Sequence, residues 1–222
     1  MHVLFICFVF LYASIRPSLC ETGQVLSQYP VVYIIFGEIP LFLHVNIELA
    51  SRRNPVVVLS DYVAPHATTG RRKVIYDRIS DYSEGSNRFA PLYKHMSRDN
   101  GANRKRHELR CIQRWFILND YMRSKNISKA MFGDSDSSIF VNVESAWSHR
   151  SNCAAVINIE AQNKLFHWVG AGEASLWRAD SIAEFCKFTE TIYTSHVDVL
   201  EAKARDGSSV VDMSLLWLWW VR

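Results

Sequence analysis

Val31-Val32-Tyr33-Ile34-Ile35-Phe36-Gly37 and, one helical stretch later, Val56-Val57-Val58-Leu59-Ser60-Asp61 decide the fold. Both are continuous apolar runs rich in β-branched side chains, not alternating ones, which is the pattern of strands covered on both faces of a parallel sheet. Between them, Pro40 suits the first position of a helix, where its missing N–H is no loss. Leu41, Val45 and Leu49 fall on one helical face, and Asn54-Pro55 ends the helix. Strand, helix and strand within about thirty residues make a βαβ unit. The class expected is α/β, with a mostly parallel mixed sheet flanked by helices.

Beyond this unit, residues 62–103 are polar, with Gly70, Gly85 and Gly101, and read as a long excursion carrying a short strand around Val74–Tyr76. From Arg104 to Lys125 the helical period returns: Leu109, Ile112, Trp115, Phe116, Leu118 and Met122 form an apolar stripe, flanked by Arg110 and Arg114 one turn apart. Lys129-Ala130-Met131-Phe132 is expected as a short strand running into Gly133-Asp134-Ser135-Asp136, and Ala154–Ile157 as another. Ser181 with Glu184 has the spacing of a capping box, opening a helix whose face is Ile182, Phe185, Cys186, Thr189, Ile192 and Tyr193.

The totals bound the function. A chain of 222 residues suits one domain, and 49% hydrophobic with 21% charged residues is ordinary globular composition. A formal charge of +3 is too mild to make nucleic acid the main partner, and Arg71-Arg72-Lys73 and Arg104-Lys105-Arg106 read as solvated surface. Val3 to Ile15 is almost wholly apolar and is shorter than the roughly 20 residues a membrane-spanning helix needs. It suits a signal-peptide core within residues 1–20, cut after Cys20, although no Lys or Arg precedes it. A short signal-anchor, giving membrane association through the N-terminus, is the competing reading. Either form implies the secretory pathway: the endoplasmic reticulum or Golgi lumen, or secretion. Asn126-Ile127-Ser128 is a glycosylation sequon that fits this route. With Cys7 and Cys20 removed, Cys111, Cys153 and Cys186 remain as single thiols, and their spacing fits no zinc motif.

Three features fall at expected strand carboxyl ends: Phe36-Gly37, Ser60-Asp61 and Asp134-Ser135-Asp136. Open α/β sheets bind ligands in the crevice beyond those ends. Two aspartates one residue apart, leaving a strand, can both turn toward one site. Hard anionic oxygens suit Mn²⁺ or Mg²⁺, which fill their remaining positions with water and substrate phosphate. Gly133 permits close backbone approach. A loop turn with an Asx-type bond and no metal is the plain alternative for the same residues.

Residues 31 to 61, the block Glu108-Leu109-Arg110-Cys111-Ile112-Gln113-Arg114-Trp115-Phe116 and the Phe132–Asp136 segment together resemble the donor-binding region of GT-A nucleotide-sugar glycosyltransferases. The resemblance covers roughly residues 30 to 215 and is sharpest at the aspartates. It implies a Rossmann-like GT-A fold over residues 28–222 and transfer of a sugar from a nucleoside-diphosphate donor, with UDP expected, to an unknown glycan, protein or small-molecule acceptor. The implied donor-binding set is Phe36, Asp61, Arg114, Asp134 and Ser135, with Asp134 and Asp136 on Mn²⁺ or Mg²⁺. It further implies an acceptor and sugar pocket at Gly170, Ala171, Gly172 and Trp177, two small-residue turns beside two indoles, Trp168 and Trp177, and a catalytic Asp212 in Val210-Val211-Asp212-Met213-Ser214. One departure is the absence of a His beyond Asp212, where many of these enzymes place a further metal ligand. The apolar Leu215–Val221 segment, with Trp217, Trp219 and Trp220, needs a partner surface. Two further readings stand beside this one. The first is a truncated or non-catalytic relative that binds glycans or partners. The second is a haloacid-dehalogenase-type phosphatase with Asp134 as nucleophile, which expects its motif near the start of its domain.

Overall fold

The computed structural model describes residues 27–62, 74–96, 101–160, 168–205 and 210–222. The Val3–Ile15 run, Arg71-Arg72-Lys73, Gly70 and His167 lie outside the described residues. The chain runs β1 (Val31–Ile35), α1 (Leu41–Ser51), β2 (Val56–Ser60), β3 (Val74–Arg78), α2 (Glu84–Phe89), α3 (Ala102–Ser124), β4 (Lys129–Gly133), α4 (Val143–Ser148), β5 (Ala155–Glu160), β6 (Val169–Arg178), α5 (Ala179–Ser195), α6 (Val197–Arg205) and α7 (Asp212–Val221). Short 3-10 turns, Ile79–Tyr82 and Ala90–Leu92, flank α2. The six strands form one sheet in the order β3-β2-β1-β4-β6-β5. β1 pairs in parallel with β2 and β4, and β2 with β3. β6 runs antiparallel to both β4 and β5, so the sheet is mixed and mostly parallel, as expected.

The continuous apolar runs are explained by burial on both faces. Val31, Tyr33 and Ile35 join Val56, Val58 and Met131 in the core beneath α1 and α4. Val32 and Ile34 join Val57, Leu59 and Phe132 in the larger core beneath α3, α5 and α7. The expected face of α1 is the wrong one. Leu41 and Val45 are 86% and 60% exposed, whereas Leu43, Asn46, Ile47 and Ala50 are buried. Two apolar stripes share this helix, and the one that also carries Asn46 is turned to the sheet. Pro40 sits at the N-cap, one position before the helix proper.

The long amphipathic helix is present as α3, with Ile112, Trp115, Phe116, Leu118 and Met122 buried. It ends in a Schellman motif: Ile127 N–H donates to Met122 C=O at 2.8 Å and Asn126 N–H to Arg123 C=O at 3.3 Å. Asn126, with φ 52, is the left-handed residue this motif requires, and its exposed position leaves the sequon accessible. The Ser181 capping box does not form. The N-cap is Arg178, three residues earlier, and Asp180 Oδ1 accepts from Ser181 N–H at 2.8 Å. The reason is local: Arg178 leaves β6 directly into the helix, so Ser181 already lies in its first turn and is buried.

The apolar C-terminal segment is α7, which packs against β6 and α5. Trp217 and Trp219 are buried, and the Trp219 ring stacks on Trp177 with centroids 5.6 Å apart. The fit requires glycine beneath it: a Cβ on Gly170 would lie 2.6 Å from Leu216 Cβ and 3.2 Å from the Trp217 backbone nitrogen. Among the described residues no helix is long and apolar enough to cross a membrane.

Gly170→Ala is expected to destabilise the domain by about 1–3 kcal/mol, the cost of overpacking a close contact. In a domain of this size that lowers Tm by roughly 2–4 °C per kcal/mol. A melt within error of wild type would show that α7 moves away from β6 at no cost.

Candidate functional site

The parallel pairing puts the carboxyl ends of β1, β2 and β4 on one sheet edge, with Tyr33 beside both Val58 and Gly133 in the register. The chain places β2 and β3 on one side of β1 and β4 on the other. The β1/β4 boundary is therefore the switch point at which open α/β sheets leave a crevice. Phe36-Gly37, Asp61 and Asp134-Ser135-Asp136 all emerge at this edge. Asp61 Oδ2 accepts from Gly37 N–H at 2.8 Å, tying the two strand ends together, and Gly37 has φ 100, a conformation that favours glycine.

Asp134 is held from several sides. Its N–H donates to Glu173 C=O at 2.7 Å, continuing the β4–β6 ladder, and its own C=O accepts from Ser137 N–H at 2.9 Å. Its Oδ1 accepts from Ser135 N–H at 3.0 Å. The turn that follows is clamped by Asn46 on the buried face of α1. Asn46 Nδ2 donates to Ser135 C=O at 2.8 Å, and Asn46 Oδ1 accepts from Ser138 Oγ–H at 2.7 Å. Asp136 projects from this turn, exposed and without a hydrogen-bond or ion-pair partner among the described residues.

Arg114 connects the motif to the C-terminal part of the chain. Its Nη1 lies 2.8 Å from Asp134 Oδ2 and its Nη2 lies 2.6 Å from Asp212 Oδ2. Trp115 Nε1–H also donates to Asp212 Oδ2, at 3.1 Å. The Asp212 side chain is 3% exposed and that of Arg114 is 13% exposed, so little solvent screens this triad. Burial acts to lower the Arg114 pKa, and the adjoining Asp212 and Asp134 carboxylates together outweigh it, so the guanidinium is held charged more firmly than usual. The N-cap of α7 is Val211 and Asp212 is its first helical residue, so Asp212 is not the cap and its Oδ2 is spent on Arg114 and Trp115.

Two clefts meet at this bridge. One, of about 290 Å³, lies at the switch point between the end of β1, the start of α1 and α3, and includes Phe36, Glu38, Arg110, Arg114, Asp134 and Ser135. The other, of about 310 Å³, lies between α3, β6 and the start of α7, and includes Arg104, Arg114, Asp134, Gly172, Glu173 and Asp212. His107 and Cys111 border both. They are one turn apart on α3, with Cys111 Sγ 3.6 Å from His107 Nε2.

Of the residues expected from sequence, Phe36, Arg114, Asp134 and Ser135 line the first cleft, and Asp212 and Gly172 the second. The expected small-residue turns at Gly170–Gly172 are instead part of strand β6. Ala171 and Trp177 are buried, and Trp177 packs between Trp115, Phe185 and Trp219 while its Nε1–H donates to Ser175 Oγ. Trp177 therefore has no free face for a sugar. The glycines answer a packing demand: Gly170 admits α7, and a Cβ on Gly172 would lie 2.6 Å from the Trp115 ring. Sequence reading missed Asn46, Glu38 and Glu173, which carry no local motif. It placed Arg110 beside Arg114 without assigning it to the site; their spacing of one helical turn was the available signal.

Among the described residues no group of three or more His, Cys, Asp or Glu side chains is arranged to hold a metal ion. No protein-family model matches the chain, and no curated protein matches it.

Asp212→Ala leaves Arg114 with one of its two counter-ions and Trp115 Nε1 without its acceptor. Breaking a buried pair of this kind costs about 3–5 kcal/mol, read as a fall in the urea midpoint, with Asp212→Asn losing less. A loss under roughly 1 kcal/mol would place the Arg114 charge in solvent instead. Cys111 gives a second check. Burial, reinforced by Asp212, pushes its thiol up to about 11. Its alkylation by iodoacetamide in the folded protein is expected to rise with a midpoint well above that of a free cysteine. The same shift makes native stability fall as pH rises past the unfolded thiol pKa toward the folded one, because there the native state binds more protons.

Proposed function

We propose that the chain is a metal-dependent glycosyltransferase of the GT-A type, binding a nucleoside-diphosphate sugar, with UDP expected, in the crevice between β1 and β4. The observation that carries this reading is the position of Asp134-Ser135-Asp136. It leaves β4 at the switch point of a mostly parallel sheet, beside a cleft that also holds two arginines. In a secretory-pathway enzyme, as the N-terminal run suggests, the acceptor would be a hydroxyl-bearing glycan, protein or small molecule entering by the second cleft.

The chain supplies hard oxygen donors that suit Mn²⁺ or Mg²⁺. Asp136 is exposed and unengaged among the described residues, while Asp134 spends Oδ2 on Arg114 and receives the Ser135 N–H at Oδ1. Asp136 would be the principal protein ligand, with Asp134 beside it, and a cation that keeps several waters needs no more. When bound, such an ion neutralises charge on the departing diphosphate. Asn46 holds the turn that presents Asp136, and Arg114 fixes the Asp134 carboxylate. Asp212, whose Oδ2 is anchored by Arg114 and Trp115, keeps Oδ1 without a hydrogen-bond partner among the described residues, where it can accept a proton or hydrogen bond from the acceptor hydroxyl. The attacking group is the acceptor itself, so direct transfer requires no nucleophile from the chain.

The engagement of both Asp134 oxygens disfavours a phosphatase that uses Asp134 as nucleophile. A second reading, a relative that binds without turnover, is favoured by the engagement of both Asp134 oxygens, which leaves Asp136 as the one unengaged carboxylate of the motif among the described residues.

Calorimetric titration of UDP and UDP-sugars, with and without Mn²⁺, tests the proposal. Wild type is expected to bind at least about tenfold more tightly with Mn²⁺, and Asp136→Ala to lose that increment. Identical affinities in all four combinations would remove the metal role. Metal-dependent binding with no sugar released or transferred would favour the second reading.

A further inference from the structure

We propose that Arg110, not Arg114, is the side chain that binds the donor's diphosphate, and that Arg114 is a positioning strut whose charge is already met by Asp134 and Asp212. This inference rests on the nucleotide-sugar reading above and reassigns the arginine that the family resemblance implied.

Three arginines border the two clefts, and their partners differ. Arg104 Nε lies 2.7 Å from an oxygen of Glu108, a carboxylate that is itself fully buried. Arg114 has Nη1 on Asp134 and Nη2 on Asp212. Arg110 has no carboxylate within ion-pair distance among the described residues. Its guanidinium carbon stands 5.3 Å from the centroid of the Phe36 ring, and it is half-buried there. Phe36 follows the last residue of β1, so this contact places the cation in the lining of the switch-point cleft that Asp134 and Ser135 also border.

A phosphate oxygen pair is best met by a guanidinium whose two outer nitrogens are free, because the planar fork donates to it in parallel. Arg110 meets that requirement. Recruiting Arg114 would break two short ion pairs and leave the buried Asp212 carboxylate uncompensated. Glu38 borders the same cleft and opposes an anion, but it is exposed, so water and salt screen it while Arg110 is held against an aromatic ring.

The experiment uses the full chain and calorimetry with UDP, inorganic pyrophosphate and uridine in the presence of Mn²⁺. Arg110→Ala is expected to weaken UDP and pyrophosphate at least about tenfold, with uridine unchanged within about twofold, and Arg110→Lys to recover part of the loss. Arg110→Gln keeps the stem on Phe36 and serves as the second variant, with a thermal melt confirming the fold. UDP binding that survives both Arg110→Ala and Arg110→Gln overturns the assignment and leaves the glycosyltransferase reading standing. Arg110-dependent binding of pyrophosphate, equal to that of UDP, keeps the assignment and overturns the nucleotide reading. A wild type that binds none of the three ligands overturns both.

Discussion

The guanidinium of Arg114 is the fixed point of this molecule. It lies on α3, but its partners come from the end of β4 and the start of α7, the second of them 98 residues away in sequence. A charge that is only 13% exposed must be paired, and one arginine between two carboxylates satisfies that need only if α3, β4 and α7 are all in place. The order of the Asp134 carboxylate is thus a tertiary property. It depends on the C-terminal helix as much as on the strand that carries the motif.

That dependence explains the packing around β6. For Asp212 to reach Arg114, α7 must lie close on the sheet, and Gly170 and Gly172 make room for Leu216 and the Trp115 ring. The indoles of Trp115, Trp177 and Trp219 then fill the space between α3, β6 and α7 in a contiguous aromatic cluster with Phe185. The hydrophobic contribution is non-directional and holds the three elements together, while the ion pairs and the Trp115 Nε1–H fix their orientation. On the opposite face, Asn46 plays the corresponding part for the Ser135–Ser138 turn, so the motif is braced from both layers.

Much of the frame was legible in the sequence because it is encoded locally. The continuous β1 and β2 runs, the helical period of α3 and the short apolar strand leading into Asp134 are each written within a few residues, and parallel pairing of the strands then brings their ends to one edge. What failed was information held across the chain. α1 offers two apolar stripes, and only the sheet decides that Leu43 and Ile47 go inward while Leu41 and Val45 stay in water. Gly170 and Gly172 look like turn formers, yet they lie in an extended strand because a helix from the chain's end approaches them. Trp177 looks like a sugar platform and is core, since nothing local announces that Trp219 will stack on it. The partnership of Arg114 with Asp212 has no sequence signature at all.

The charge arrangement at the crevice has a direction. One guanidinium shared by two carboxylates leaves the β4 side one positive charge short, and Asp136 adds another carboxylate on the same turn. At the buried Asp212 end that deficit is little screened, while Asp136 stands exposed to solvent. In the same cleft, one helical turn from Arg114, α3 presents Arg110 against Phe36 with no carboxylate in ion-pair reach among the described residues. The sheet edge therefore brings an unengaged carboxylate, Asp136, and an unengaged guanidinium, Arg110, to one region of the described residues. A lone phosphate meets only the second demand and a lone metal ion only the first. A diphosphate carrying a divalent cation meets both at once, and this pairing of opposite demands at one switch point is what supports the proposed nucleotide-sugar reading over a simple anion or cation site.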